Sequence, residues 1–199
     1  MQSILIKKDA KTAAFNEFLH KTRIIPAVKS QEGVERCLQE KSKIVFVLFG
    51  DIISIHDIVT RLKNADKMVL VHIDLIEGLN SRDVAVDFIA GTTHSDGILS
   101  TKANLVKYAK NRGLLAIQRF FVLDSMALLN IEKQLPFDYA DALEILPGLM
   151  PKVIQRLSRL TNKPVIAGGL ISDMDDVNSA LNAGALAVST TRLELVHTK

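Results

Sequence analysis

The chain alternates short apolar runs with amphipathic stretches, and it completes that alternation eight times. The apolar runs fall at residues 24–28, 44–49, 68–73, 97–99, 114–117, 141–145, 164–167 and 185–188. Helical patterns fill residues 31–40, 54–64, 82–90, 104–112, 124–134 and 150–160, with another after Asp173 and a leading helix at 11–20 that spaces Ala14, Phe15 and Phe18 along one side. Continuous apolar runs suit strands buried on both faces, and strands that alternate with helices pair in parallel. Barrels of eight such units take about 200 residues or more. A chain of 199 residues therefore predicts one compact (β/α)8 TIM-type barrel over 1–199, a single domain with abbreviated helices and no inserted domain. The competing architecture is a doubly wound open sheet, whose phosphate signal follows the first strand. Here the first strand exits into Lys29-Ser30, and the glycine pair waits until the seventh.

That pair, Gly168-Gly169, opens the most informative stretch. Ser172 or Asp173 can cap the following helix, and Asp173, Asp175 and Asp176 suit its first turn. Gly184 ends that helix. The eighth strand then leads into Ser189-Thr190-Thr191, read as hydroxyl residues on a turn. Two glycines let backbone approach an anion, and the next loop adds N–H and hydroxyl donors, so a phosphate site is expected after strands seven and eight.

Polar residues recur at the other strand ends: Asp51, the group His72, Asp74 and Glu77, then Lys102, Gln118 with Arg119, and Glu144. In a barrel these ends converge on one face and form a candidate pocket. Each also has a plainer reading. His72 and Asp74 are a hydrogen-bonded pair more readily than a metal site, since no suitable third ligand accompanies them. Lys102 is an anion-holding point charge or a solvated helix start. Arg119 is a bidentate anion clamp or the partner of Asp124 or Glu144. Glu144 lies between Leu143 and Ile145 in a buried strand and needs a partner either way.

Composition excludes several classes. No apolar run approaches the ~20 residues of a membrane helix, and the early charges in MQSILIKKDAK do not fit a secretory signal. A single cysteine, Cys37, forbids an internal disulfide, fits a reducing cytoplasm, and is read as packed. Tryptophan is absent and aromatics are 5%, which argues against a stacking platform for single-stranded nucleic acid. The net charge of +3 allows an acidic partner without demanding one. Lys152, Arg156, Arg159 and Lys163 form one stripe down a helix, and Lys107, Lys110 and Arg112 mark a second basic helix. Such a stripe is a solvated outer face or a surface for RNA phosphates.

Taken together, LFGDI at Asp51, HIDLIEGL from His72, DGILSTK from Asp96, AIQRFFVLDS from Ala116, LEILPGLMP from Leu143, IAGGLI from Ile166 and ALNAGALAVST from Ala180 resemble the glycerol-3-phosphate-responsive antiterminators, the glycerol uptake operon antiterminator family. The resemblance implies a barrel that binds glycerol 3-phosphate as a regulatory ligand and acts on the mRNA leader of glycerol-utilisation genes, with no assigned catalytic reaction and no cofactor. It implies that Gly168, Gly169, Ser189 and Thr190 hold the phosphate. Strand-end geometry adds Lys102, Arg119 and Glu144 around the glycerol part, with His72, Asp74 and Asp51 nearby; a homo-oligomer is allowed. One departure is visible: the family tends to follow its Ser-Thr pair with Ser-Asn and a later Leu-Trp pair, where this chain reads Thr191-Arg192-Leu193-Glu194-Leu195. Two other readings stand beside the regulator. One is an isomerase, lyase or transferase on a phosphorylated three-carbon substrate, with Asp51, Asp74 or Glu144 as acid or base and Lys102 or Arg119 as electrophile. The other is a sensor acting through a protein partner.

Overall fold

Eight parallel strands close on themselves in chain order, so the open-sheet alternative does not apply. The computed structural model describes residues 2–137 and 139–197. The strands are β1 Ile24–Val28, β2 Ile44–Val47, β3 Met68–His72, β4 Gly97–Ser100, β5 Leu115–Phe121, β6 Ala142–Leu146, β7 Val165–Gly168 and β8 Ala187–Thr190. The helices are α1 Gln2–Lys21, α2 Gln31–Leu38, α3 Ile55–Asn64, α4 Asp83–Phe88, α5 Ala103–Asn111, α6 Ser125–Gln134, α7 Pro151–Leu160 and α8 Met174–Asn182. α4 runs into a π-helical turn, Ile89–Thr93, and β8 is followed by a 3-10 segment, Leu193–His197. Among the described residues no helix is long and apolar enough to cross a membrane.

Strand alternation builds two separate apolar bodies. Residues such as Val69, Val71, Leu143 and Ile145 face outward and pack under the helices, in a cluster that includes Val59, Leu62 and Ile154. The inward residues Ile25, Phe46, Leu70, Leu99, Ile117 and Ile166 fill the barrel itself. Phe15 and Leu19 of α1 belong to this inner body, together with strand-start residues Ile44, Met68, Leu115 and Ala142. α1 therefore lies across the N-terminal end of the barrel and plugs it. It begins at Gln2 rather than near Lys11, and Cys37 is buried as expected.

Two strand limits differ from expectation in ways that matter. β5 does not end near Ile117 but runs to Phe121, and Ser189 and Thr190 are the last residues of β8 rather than part of a turn. Both segments continue because their partners continue. Arg119 pairs with Glu144 and Phe121 with Leu146, while Ser189 pairs with both Ile25 and Gly168.

Candidate functional site

At the C-terminal end of the barrel the inward positions turn polar. His72, Arg119, Glu144 and Ser189 take inward places near the C-terminal ends of β3, β5, β6 and β8, and all are buried. Glu144 has no exposed surface and Arg119 only 7%. A carboxylate so placed must be paired. Arg119 Nε donates to Glu144 Oε2 at 2.6 Å, and Ser189 Oγ donates to Glu144 Oε1 at 2.5 Å. The plainer reading of Arg119 and Glu144, mutual partnership, thus holds in this structure. Gly168 makes the cluster possible, because a Cβ there would lie 2.5 Å from Ser189 Oγ and 2.7 Å from Glu144 Oε1.

Above this cluster lies a cavity of about 110 Å³ lined by Arg119, Glu144, Gly169, Ser189, Thr190 and Thr191 among others. Its rim is the β7 loop. Gly169 has φ +76°, and the next residue, Leu170, also has positive φ at 62°. A leucine held left-handed costs about 1–2 kcal/mol, and such strain gathers where a loop must keep a particular shape. The loop is fixed from both sides. Gly148 N–H donates to the Gly169 carbonyl at 3.1 Å, and Thr190 Oγ1 donates to the Ile171 carbonyl at 3.3 Å. Asp173 caps α8 by accepting from Asp176 N–H at 2.9 Å, so this helix start is closed by its own carboxylate.

The remaining strand-end residues stand apart. Asp74 follows β3 in a one-turn helix and accepts from Ser100 Oγ at 2.9 Å and from Thr101 N–H at 2.7 Å. Burial pushes its carboxyl up, but these hydrogen bonds outweigh it and hold the group below the usual range. Lys102 Nζ lies 3.8 Å from Asp74 Oδ1 and also donates to Ser81 Oγ, which makes a second polar group at the β3 and β4 exits. Asp51 serves its own loop, accepting from Ile53 N–H and Ser54 N–H at 2.8 Å each. His72 faces the Arg119 side; burial first, then the guanidinium charge, push its pKa down to about 4, so the ring is neutral at pH 7. Its Nδ1 is buried without a partner among the described residues. Among the described residues no three His, Cys, Asp or Glu side chains gather to hold a metal.

Gln118 differs from its sequence neighbour. With β5 continuing past it, alternation sends Arg119 into the barrel and Gln118 outward. The basic helices also differ from a bare charge stripe. Arg156 Nη2 donates to Glu132 Oε2 at 2.8 Å, Lys110 pairs with Asp141, and Arg112 Nε sits 2.8 Å from Asp87 Oδ1. Lys152 and Arg159 are exposed on α7, and Lys163 is half-buried just beyond it.

Known proteins share this arrangement over most of its length. A protein of Escherichia coli (strain K12) named "Uncharacterized protein YgcP" is 40% identical over 173 residues, 87% of this chain and 91% of its own. A crystal structure of the glycerol uptake operon antiterminator regulatory protein from Listeria monocytogenes str. 4b F2365 superposes with a TM-score of 0.82 at 36% identity, covering 85% of this chain and 91% of that one. A glycerol uptake operon antiterminator-related protein from Thermotoga maritima MSB8 gives 0.79 at 30% identity, with 88% and 98% covered. The family model described as glycerol-3-phosphate responsive antiterminator matches residues 24–196, from the first residue of β1 to the segment after β8. With the barrel, its polar mouth and this match in agreement, the chain belongs to the glycerol-3-phosphate responsive antiterminator family.

Proposed function

We propose that this protein is a cytoplasmic regulator that binds glycerol 3-phosphate at the barrel mouth and, so loaded, binds the mRNA leader of glycerol-utilisation genes and promotes transcription antitermination. Family membership supports the regulatory role. The observation that carries the ligand reading is the buried Arg119–Glu144–Ser189 cluster under the β7 and β8 loops. Gly169 and Thr191 offer backbone and hydroxyl donors to a phosphate, beside Thr190, whose hydroxyl braces the Ile171 carbonyl, while the carboxylate and guanidinium beneath suit glycerol hydroxyls. Glu144 already accepts from two donors, which favours holding a ligand over abstracting a proton from one.

Coupling to RNA follows from linkage. Where the ligand and RNA both bind best to one arrangement of the β7 and β8 loops, the ligand tightens RNA and RNA tightens the ligand in return. Lys152 and Arg159, with Arg156 and Lys163 alongside, supply phosphate contacts along α7. Thermal unfolding with and without glycerol 3-phosphate is the first test. Ligand at a hundredfold its Kd adds about 2.7 kcal/mol, roughly 5–11 °C for a chain of this length. No shift at millimolar ligand would end the ligand reading. An RNA mobility shift follows, with ligand present and absent. Lys152→Glu and Arg159→Glu should weaken RNA binding and spare the thermal shift; unchanged RNA affinity would remove the stripe from the account.

A further inference from the structure

A second cavity, of about 280 Å³, opens on the flank of the barrel between α5 and α6. That is close to the lower end of ligand pockets, roughly 300 Å³. Gln118 and Phe120 of β5 line it, with Lys107 of α5, Lys133 of α6, and Phe137 and Tyr139 from the connection to β6. None of these features belongs to the barrel-mouth site.

Three observations point to one kind of ligand. First, the two rings are unusually open: Phe137 is 77% exposed and Tyr139 51% exposed, in a chain with only eight phenylalanines and two tyrosines. Second, Gln118 is 2% exposed and half satisfied. Its Nε2 donates to the carbonyls of Ser100 at 3.3 Å and Thr101 at 3.0 Å, which fixes the amide orientation, and its Oε1 is left buried with no partner among the described residues. An orphaned buried acceptor is costly, and a ligand N–H removes the cost. Third, two lysines line the cleft, one of them over the face of a ring. Lys107 Nζ lies 4.7 Å from the Tyr139 ring centroid, and Lys133 lines the same cavity. Flat apolar faces, one buried acceptor for an N–H donor, and lysines at the edge are the features that recognise a nucleobase and its phosphate.

We infer that the α5–α6 cleft binds one unpaired nucleotide of single-stranded RNA, its base stacked on Phe137 or Tyr139, a base N–H given to Gln118 Oε1, and its phosphate held by Lys107 and Lys133. This rests on the RNA reading above and gives it a base-recognising site beside the phosphate-binding stripe. The two are neighbours, since Arg156 of α7 bonds to Glu132, which adjoins Lys133 on α6. A strand crossing α7 reaches the cleft next. The low aromatic content that argues against an extended stacking platform does not count against a pocket for a single base. β5 also joins the two sites physically, with Arg119 at the barrel ligand and Gln118 at the base.

The test uses the full chain with saturating glycerol 3-phosphate and fluorescent oligo-A, oligo-C, oligo-G and oligo-U RNA, read by anisotropy. At least one of Phe137→Ala and Tyr139→Ala should weaken the best-bound homopolymer about tenfold, the scale of losing one stacked base, and both should leave the glycerol 3-phosphate thermal shift unchanged. Gln118→Met should narrow the spread of affinities among the homopolymers. An oligomer carrying 5-iodouridine should crosslink to the peptide bearing Phe137 and Tyr139. Wild-type RNA binding that both aromatic variants retain in full, with the crosslink elsewhere, overturns the cleft and leaves the RNA reading standing. Absence of any RNA binding by the wild-type chain, with the thermal shift intact, overturns both.

Discussion

Replacing Arg119 with methionine probes the buried pair on which the barrel-mouth site rests. The guanidinium and the Glu144 carboxylate meet at 2.6 Å with almost no exposure to water. Arg119→Met leaves a fully buried carboxylate that keeps the Ser189 hydroxyl as a donor. Breaking such a pair costs about 3–5 kcal/mol, which for a chain of this length lowers Tm by roughly 6–20 °C. Glu144→Leu costs a similar amount for the opposite reason, since it strands the guanidinium. The double variant strands neither charge, and exchanging a buried pair for apolar residues is often neutral or better. Arg119→Met combined with Glu144→Leu is therefore expected to be more stable than either single variant. Urea unfolding of the four proteins at matched m-values measures this directly. Glycerol 3-phosphate should no longer shift Tm in any of the three variants. A double variant whose loss equals the sum of the singles would show that the two side chains do not depend on each other. A retained ligand shift in Arg119→Met would take that residue out of the site.

Gly168→Ala places a methyl where Ser189 Oγ and Glu144 Oε1 now sit, so it should cost about 1–3 kcal/mol by overpacking and weaken the ligand; calorimetric binding equal to wild type would contradict this. His72 has a folded pKa of about 4 against an ordinary 6.5. Its contribution is complete above pH 6.5 and drains away as pH falls towards 4, on the order of 2–3 kcal/mol over that window. His72→Asn should flatten that part of a stability–pH curve, and an unchanged slope would sink the assignment. Asp51→Ala removes the acceptor for two N–H groups at the start of α3 and should cost about 1 kcal/mol with ligand affinity unchanged; a large affinity loss would return Asp51 to the pocket.

The barrel was legible because every strand carries a short apolar run, and that pattern survives errors of two residues at either end. The site was less legible because side-chain direction depends on those ends. Whether Gln118 or Arg119 enters the barrel is decided by how far β5 runs, and polar letters alone do not mark the strand as continuing to Phe121. Ser189 and Thr190 differ from expectation for the same reason: hydroxyl residues read as a turn, although Ser189 pairs with both neighbouring strands and Thr190 with β1. Asp51 and Lys102 show another limit. A polar residue at a strand exit serves a loop as readily as a ligand, and in Asp51 the spacing to Ser54 was the available clue to a cap. Phe137 and Tyr139 left no periodic signal, because their significance comes from the helix surfaces that the fold brings beside them.

Because α1 covers one end with Phe15 and Leu19 wholly out of water and side chains fill the middle, the cavity at the β7 and β8 loops is closed off from the far end of the barrel by the described residues. Whatever enters by the β7 and β8 loops must leave by them. A macromolecule seated across those loops would lengthen the ligand's residence without touching it, turning a fast metabolite reading into a memory that lasts as long as the complex.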